Sequence, residues 1–72
     1  PSSQLMDVEA ERTKMNAERE RFEKEVARSR GILSNQGFLA KAPKQKIEAE
    51  QKKLEDYEKQ LNVVLARLKE LA

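Results

Sequence analysis

Two stretches with a heptad pattern, separated by a single break, restrict the fold of this chain more than any other feature. Before residue 31 and after residue 43 the sequence is highly charged, and apolar residues recur every three or four positions. Both glycines and the only internal proline lie in the segment between, Gly31–Pro43. Because a three-four spacing continues a helix whereas glycine and proline interrupt it, the sequence predicts two helices joined by a turn.

The two stretches carry matching stripes. In the first, heptad positions a are Leu5, Arg12, Arg19, Val26 and Leu33, and positions d are Val8, Met15, Phe22 and Ser29. In the second, positions a are Ile47, Leu54, Leu61 and Leu68, and positions d are Glu50, Tyr57, Val64 and Leu71. An antiparallel pairing in which facing residue numbers sum to roughly 80 brings the two stripes together. We therefore predict an all-α fold, a two-helix antiparallel coiled-coil hairpin.

The hairpin is predicted to occupy residues 7–72, with helix 1 at about 7–34, the turn at about 35–42 and helix 2 at about 43–72. Pro43 suits the first turn of a helix, where its missing N–H has no helical partner. We expect a compact turn with a short helical segment, in which one or both of the adjacent apolar residues Phe38 and Leu39 fold back to close the end of the hairpin. Residues 1–6 are interpreted as linker or cloning-derived sequence, and the start without Met indicates a fragment of a longer protein.

Several classes of function are excluded by composition. The chain has no Cys and no His, so it lacks the ligands of disulfide frameworks and of thiolate or imidazole zinc sites. Its thirteen carboxylates have no neighbouring nucleophile or predicted pocket that would make them acid–base catalysts. No apolar run reaches membrane-spanning length. We expect a non-catalytic chain without cofactor, metal or membrane partner, located in the cytoplasm.

The charge distribution indicates a polyanion as partner. Residues 26–47, here called the tip, carry five bases and no acid, whereas the rest of the chain carries ten bases and thirteen acids. The five bases are Arg28, Arg30, Lys41, Lys44 and Lys46. Such clusters bind nucleic acids mainly through phosphates, and an exposed Phe38 beside them would stack on a base.

Two further bases, Arg12 and Arg19, occupy a positions and have two interpretations. In the first, their stems lie on the seam and their charged ends reach acids across it, which fixes the register. In the second, they project sideways to phosphates and extend the nucleic-acid-binding surface along the shaft.

Almost the whole chain, from about Asp7 to Ala72, resembles a known family, and the likeness is most specific in the eleven-residue loop. The run Leu33–Pro43 (LSNQGFLAKAP), followed by Ile47, Glu50, Lys53, Leu54 and Tyr57, is similar to the C-terminal coiled-coil arm of bacterial valyl-tRNA synthetases. That arm typically carries Leu-Ser-Asn-x-Gly-Phe-x-x-Lys-Ala-Pro and then a Glu/Lys-rich helix with Lys-Leu-x-x-Tyr. The segment Asp7–Glu11 also looks like the family's entry into the first helix.

The resemblance implies a hairpin at the end of a class I synthetase that reaches the outer corner of the L-shaped tRNA and strengthens tRNA binding. Valine activation with ATP, aminoacylation and editing would belong to other domains of the parent enzyme, a valine–tRNA ligase. The implied partners are tRNA-Val and the rest of the synthetase. The loop motif does not itself identify RNA contacts, so the contact residues remain those assigned from charge.

Two alternatives stay open. One is the C-terminal hairpin of an ATP-binding cassette protein acting on ribosomes or DNA, which would carry Walker motifs upstream. The other is a structural coiled coil that only self-associates, for which Ile32, Val63 and Leu65 lie outside the strict seam.

Overall fold

The two heptad-patterned stretches form two long helices that pack against each other. The computed structural model describes residues 2–72, with side chains from residue 4 onward. It contains α1 (Ser2–Leu33), α2 (Gln36–Lys41) and α3 (Lys44–Leu71), and no strand lies within those residues. The molecule measures 58 × 14 × 13 Å. The prediction of an all-helical chain with two long helices in contact is confirmed.

Three side-chain pairs across the seam give the register between the long helices: Ser29–Glu50, Phe22–Tyr57 and Glu11–Arg67. In each pair the two residue numbers sum to 78 or 79, close to the predicted value of roughly 80 for an antiparallel heptad seam. In these three pairs the partner's number falls along α3 as the residue number rises along α1. A fourth pair between the long helices, Arg30–Glu58, sums to 88 and joins two long side chains beside the seam.

The core of the hairpin is narrow. Phe22, Val26 and Val64 are its buried apolar residues, Ser29 is a buried polar residue of the seam, and the other seam positions are only half-buried or exposed. Leu5, expected in the seam, is 64% exposed because α3 ends at Leu71 and presents no residue opposite it. Most of the apolar burial is thus in the middle of the shaft, as expected for a two-helix unit with little interior.

The start of the first helix differs from the prediction, whereas the turn agrees with it. α1 begins at Ser2 rather than at about residue 7, because Gln4, Leu5 and Met6 are helix formers and nothing before Asp7 interrupts the helix. The interpretation of residues 1–6 as linker stays a prediction. The short helical segment expected in the turn is α2, which has six residues.

The break after α1 is made by Asn35. Its backbone is extended, and its side-chain oxygen Oδ1 accepts a hydrogen bond from the Phe38 N–H at 3.2 Å, which is an N-cap. A Cβ on Gly37 would lie 3.2 Å from the same oxygen, so the absence of a side chain there leaves room for the cap. No residue that the structure describes has a positive φ, and Gly31 lies within α1.

Candidate nucleic-acid interface

The short helix α2 gives the tip a defined shape. Asn35 caps its beginning, and at its end the Ala42 N–H donates to the Phe38 carbonyl at 2.8 Å. The Pro43 carbonyl then accepts the N–H groups of Lys46 and Ile47 at 3.0 and 3.2 Å, which starts α3. These bonds fix the backbone on both sides of Lys41 and Lys46.

An open groove of about 580 Å³ lies at the tip. Its lining includes the apolar residues Phe38, Ala42 and Pro43 and the cations Lys41 and Lys46. Phe38 is half-buried and Leu39 remains exposed, so Phe38 is the more enclosed of the two apolar turn residues. A groove lined by one aromatic ring and two cations matches the chemistry of a nucleotide, which has a flat base and a negative phosphate.

The five predicted tip bases fall into two groups. Arg28, Lys41 and Lys46 are exposed and make no ion pair with a side chain that the structure describes. Arg30 bonds Glu58 of α3, and Lys44 lies 3.9 Å from Glu48. Exposed ion pairs contribute about 0–1 kcal/mol to stability, so a phosphate could displace Glu58 or Glu48 from its base. The three unpaired bases can bind a phosphate without displacing a carboxylate.

In the described part of the chain, neither Arg12 nor Arg19 makes the expected ion pair with an acid across the seam. Arg19 Nη1 donates to Glu23 Oε1 at 2.9 Å, and its Nε donates to Asn16 Oδ1 at 3.4 Å, so both partners belong to α1. The prediction that its charged end crosses the seam is wrong, because an acid four residues ahead on the same helix is nearer. Arg12 is exposed and makes no ion pair among the described side chains.

The cross-seam ion pair is made instead by Arg67 and Glu11. Arg67 Nε and Nη2 donate to the two carboxylate oxygens of Glu11 at 2.6 and 2.7 Å, a bidentate geometry. These hydrogen bonds lower the pKa of the Glu11 carboxyl below its ordinary value and raise the pKa of the Arg67 guanidinium. Arg67 also donates to Glu70, so its charge is satisfied within the shaft.

Two exposed basic residues on the shaft, Arg21 and Lys53, were not among the contacts predicted from the sequence. The Arg21 guanidinium lies 4.7 Å from the centroid of the Phe22 ring, and Arg21 lines two shallow grooves on the middle of the shaft. Lys53 is exposed and makes no ion pair with a described side chain. Their heptad positions, c for Arg21 and g for Lys53, could have identified them from the sequence, because positions c and g lie on the same edge of the seam.

Among the residues that the structure describes, no helix is long and apolar enough to cross a membrane. Within the same residues, no group of three or more acidic side chains is arranged to hold a metal ion.

Comparison with known proteins gives one consistent family. Residues 7–72 match the family described as the valyl tRNA synthetase tRNA binding arm. The chain is similar to valine–tRNA ligases of Lactobacillus johnsonii (48% identity over 71 residues, 99% of this chain), Lacticaseibacillus casei (37% over 71 residues, 99%) and Syntrophotalea carbinolica (38% over 72 residues, 100%). It spans about 8% of the length of each of these relatives. No solved structure matches the chain.

Proposed function

Because this chain belongs to the family of valyl-tRNA synthetase tRNA-binding arms, we propose that it binds tRNA through the tip of its hairpin. The contact is made mainly to phosphates at the outer corner of the tRNA, and it strengthens tRNA binding for aminoacylation. The observation that carries this proposal is the tip groove, which Lys41 and Lys46 line together with Phe38, and neither lysine has an ion-pair partner among the described residues.

The length of the hairpin allows the tip to contact RNA far from the other end of the arm. The opposite trend of residue numbers in the cross-seam pairs supports an antiparallel order of α1 and α3, which places the tip at one end of a 58 Å shaft. The cross-seam ion pair and the ring pair lie well down that shaft, at residues 11 and 67 and at residues 22 and 57. The shaft acts as a spacer and the tip as the contact.

The arm is not itself catalytic in this proposal. Valine activation with ATP and transfer of valine to tRNA belong to the parent valine–tRNA ligase, a cytoplasmic enzyme of protein biosynthesis. The arm contributes binding energy that is remote from the reacting groups, and so it acts on the affinity for tRNA.

A salt titration of binding to folded tRNA-Val tests the proposal, with an unrelated duplex RNA for comparison. Each phosphate contact contributes roughly 0.7 to 0.9 to the slope of log affinity against log salt. We expect Lys41→Gln/Lys46→Gln to reduce that slope by about 1.4 to 1.8, because two contacts are lost. Undetectable binding of the unmodified chain at low salt would refute the proposal.

The matched control is Lys24→Gln/Lys52→Gln, which removes the same charge from two exposed lysines on the outer faces of the helices. Neither lysine makes an ion pair with a described side chain. Circular dichroism of every variant checks that the hairpin is retained.

A structural coiled coil that only self-associates is the second candidate, and the exposed Val63 and Leu65 favour it. It predicts a dimer whose population grows with protein concentration, together with no affinity for tRNA. Sedimentation of the chain with and without tRNA separates the two candidates.

A further inference from the structure

The two long edges of the hairpin carry opposite charge in the half nearest the tip. One edge contains heptad positions c and g of both helices, as shown by the contact of Glu11 with Arg67, both at g. The other edge contains positions b and e, as shown by the contact of Arg30 with Glu58, both at e. These assignments allow every charged residue beside the seam to be placed on one edge.

The charges differ over residues 20–32 of α1 and 46–60 of α3. The c/g edge, here called the basic edge, carries Arg21, Arg28, Lys46 and Lys53 and the acids Glu25 and Asp56. The b/e edge, here called the acidic edge, carries Glu20, Glu23, Glu48, Glu55 and Glu58 and the single base Arg30, which Glu58 neutralises. A net charge of +2 for the whole chain conceals this asymmetry.

The grooves of the hairpin include residues of the basic edge. The tip groove is lined by Lys46, and the two grooves on the middle of the shaft share Arg21 and Gln60 at positions c and g, with one glutamate in each, Glu25 or Glu18. Arg28 and Lys53 continue these positions between the tip groove and the mid-shaft grooves, one heptad from Arg21 and Lys46 respectively. One heptad corresponds to roughly 10 Å along a helix.

The cations of the basic edge are available to a ligand. Arg28, Lys46 and Lys53 are exposed and make no ion pair with any side chain that the structure describes. Arg21 is exposed and lies over Phe22, which holds its guanidinium beside the groove. On the acidic edge, a phosphate would meet Glu48, Glu55 and Glu58 in succession, and like charges that face each other across an interface are unfavourable.

From this asymmetry we infer that the RNA backbone continues from the tip groove along the basic edge as far as Arg21, and that the acidic edge faces away from the RNA. The inference rests on the proposed tRNA binding and adds to it the side of the arm that meets the ribose-phosphate backbone. The charges of the tip alone would allow the RNA to lie along either edge of the hairpin. The difference in charge between the two edges favours the basic one.

Tethered cleavage of tRNA tests the orientation directly, because the chain has no cysteine of its own. Ala49→Cys places a single thiol on the basic edge at position c, and Ala27→Cys places one on the acidic edge at position b; both alanines are exposed. Each variant is coupled to an iron chelate that generates hydroxyl radicals, and is bound to folded tRNA-Val. We expect strong cleavage of the backbone from Ala49→Cys and at least several-fold weaker cleavage from Ala27→Cys.

Paired charge variants give an independent measurement. Arg28→Gln/Lys53→Gln removes two cations of the basic edge. Because two phosphate contacts are then lost, the fall in affinity between 50 and 200 mM salt should become about tenfold smaller. Lys24→Gln/Lys52→Gln, with the same loss of charge on the outer faces, should leave the salt dependence unchanged.

The outcomes separate this inference from the proposed function. Equal cleavage from both tethers, or an equal effect of both charge pairs, would overturn the orientation while leaving tRNA binding intact. Stronger cleavage from Ala27→Cys would reverse the assignment of the edges. Failure of the unmodified chain to bind tRNA at low salt would instead overturn the proposed function.

Discussion

At the scale of single residues, the seam contains one buried polar contact. Ser29 is only 1% exposed, and its Oγ donates to Glu50 Oε1 at 2.9 Å. Both residues occupy d positions that an apolar side chain would normally fill. The contact satisfies the Ser29 hydroxyl and one oxygen of the half-buried carboxylate, so two polar residues are accommodated in the seam without an unpaired buried group.

We expect Ser29→Ala to destabilise the hairpin by about 1–3 kcal/mol, because the half-buried Glu50 carboxylate would lose its donor. The double variant Ser29→Ala/Glu50→Leu should recover that loss, since it replaces both polar partners with apolar ones and completes the stripe. Urea unfolding followed by circular dichroism at fixed protein concentration measures the free energy of unfolding. A double variant less stable than Ser29→Ala would show that the carboxylate is held by other contacts.

The residue scale also shows what the sequence could predict and what it could not. Spacing identified the stripe that contains Phe22, Val26 and Val64, because burial follows heptad phase. It did not predict whether Arg19 would bond across the seam or within α1, because that depends on side-chain conformation and on a competing acid at Glu23. The cross-seam pair Glu11–Arg67 could have been predicted from the sequence, because opposite charges at g positions face each other in the predicted register.

At the scale of secondary-structure elements, α2 has only six residues and depends on its N-cap. A helix this short has little intrinsic stability, and no residue of α2 is buried. The hydrogen bond from the Phe38 N–H to the Asn35 side chain is therefore a main stabilising contact of α2. The sequence predicted a compact turn with a short helical segment here. The length of α2 is set by its caps, Asn35 and Ala42, and the spacing of apolar residues gave no information about where those caps lie.

We expect Asn35→Ala to weaken α2 by about 1 kcal/mol, within the 0.5–2 kcal/mol range for lost N-caps, and Asn35→Asp to retain it. Amide hydrogen exchange should become faster at Leu39 and Ala42 in Asn35→Ala, while exchange in the middle of α1 and α3 stays unchanged. Loss of protection along the whole shaft would contradict this, because it would make the cap part of the cooperative unit that includes the seam. Asn35→Ala should also weaken binding to tRNA, since the tip groove would lose its fixed shape.

At the scale of the whole molecule, the shaft determines how far the tip lies from the opposite end of the hairpin. Its 58 Å length comes from two helices in a single heptad register, so a whole heptad added to both helices preserves the seam. Such an insertion displaces the tip by roughly 10 Å without altering its surface. Binding by the tip and reach of the shaft can therefore be varied independently.

We expect duplication of residues 9–15 together with residues 64–70 to leave binding of the isolated chain to tRNA-Val unchanged, since the tip and the basic edge remain intact. The same insertion in a valine–tRNA ligase carrying this arm should reduce tRNA affinity by about as much as removal of the tip lysines, because the tip would overshoot its contact. Duplicating residues 9–15 alone is the control: it breaks the register, and we expect it to unfold part of the shaft. Unchanged tRNA affinity of the lengthened ligase would mean that the arm pivots to compensate, and that the length of the shaft does not set the position of the contact.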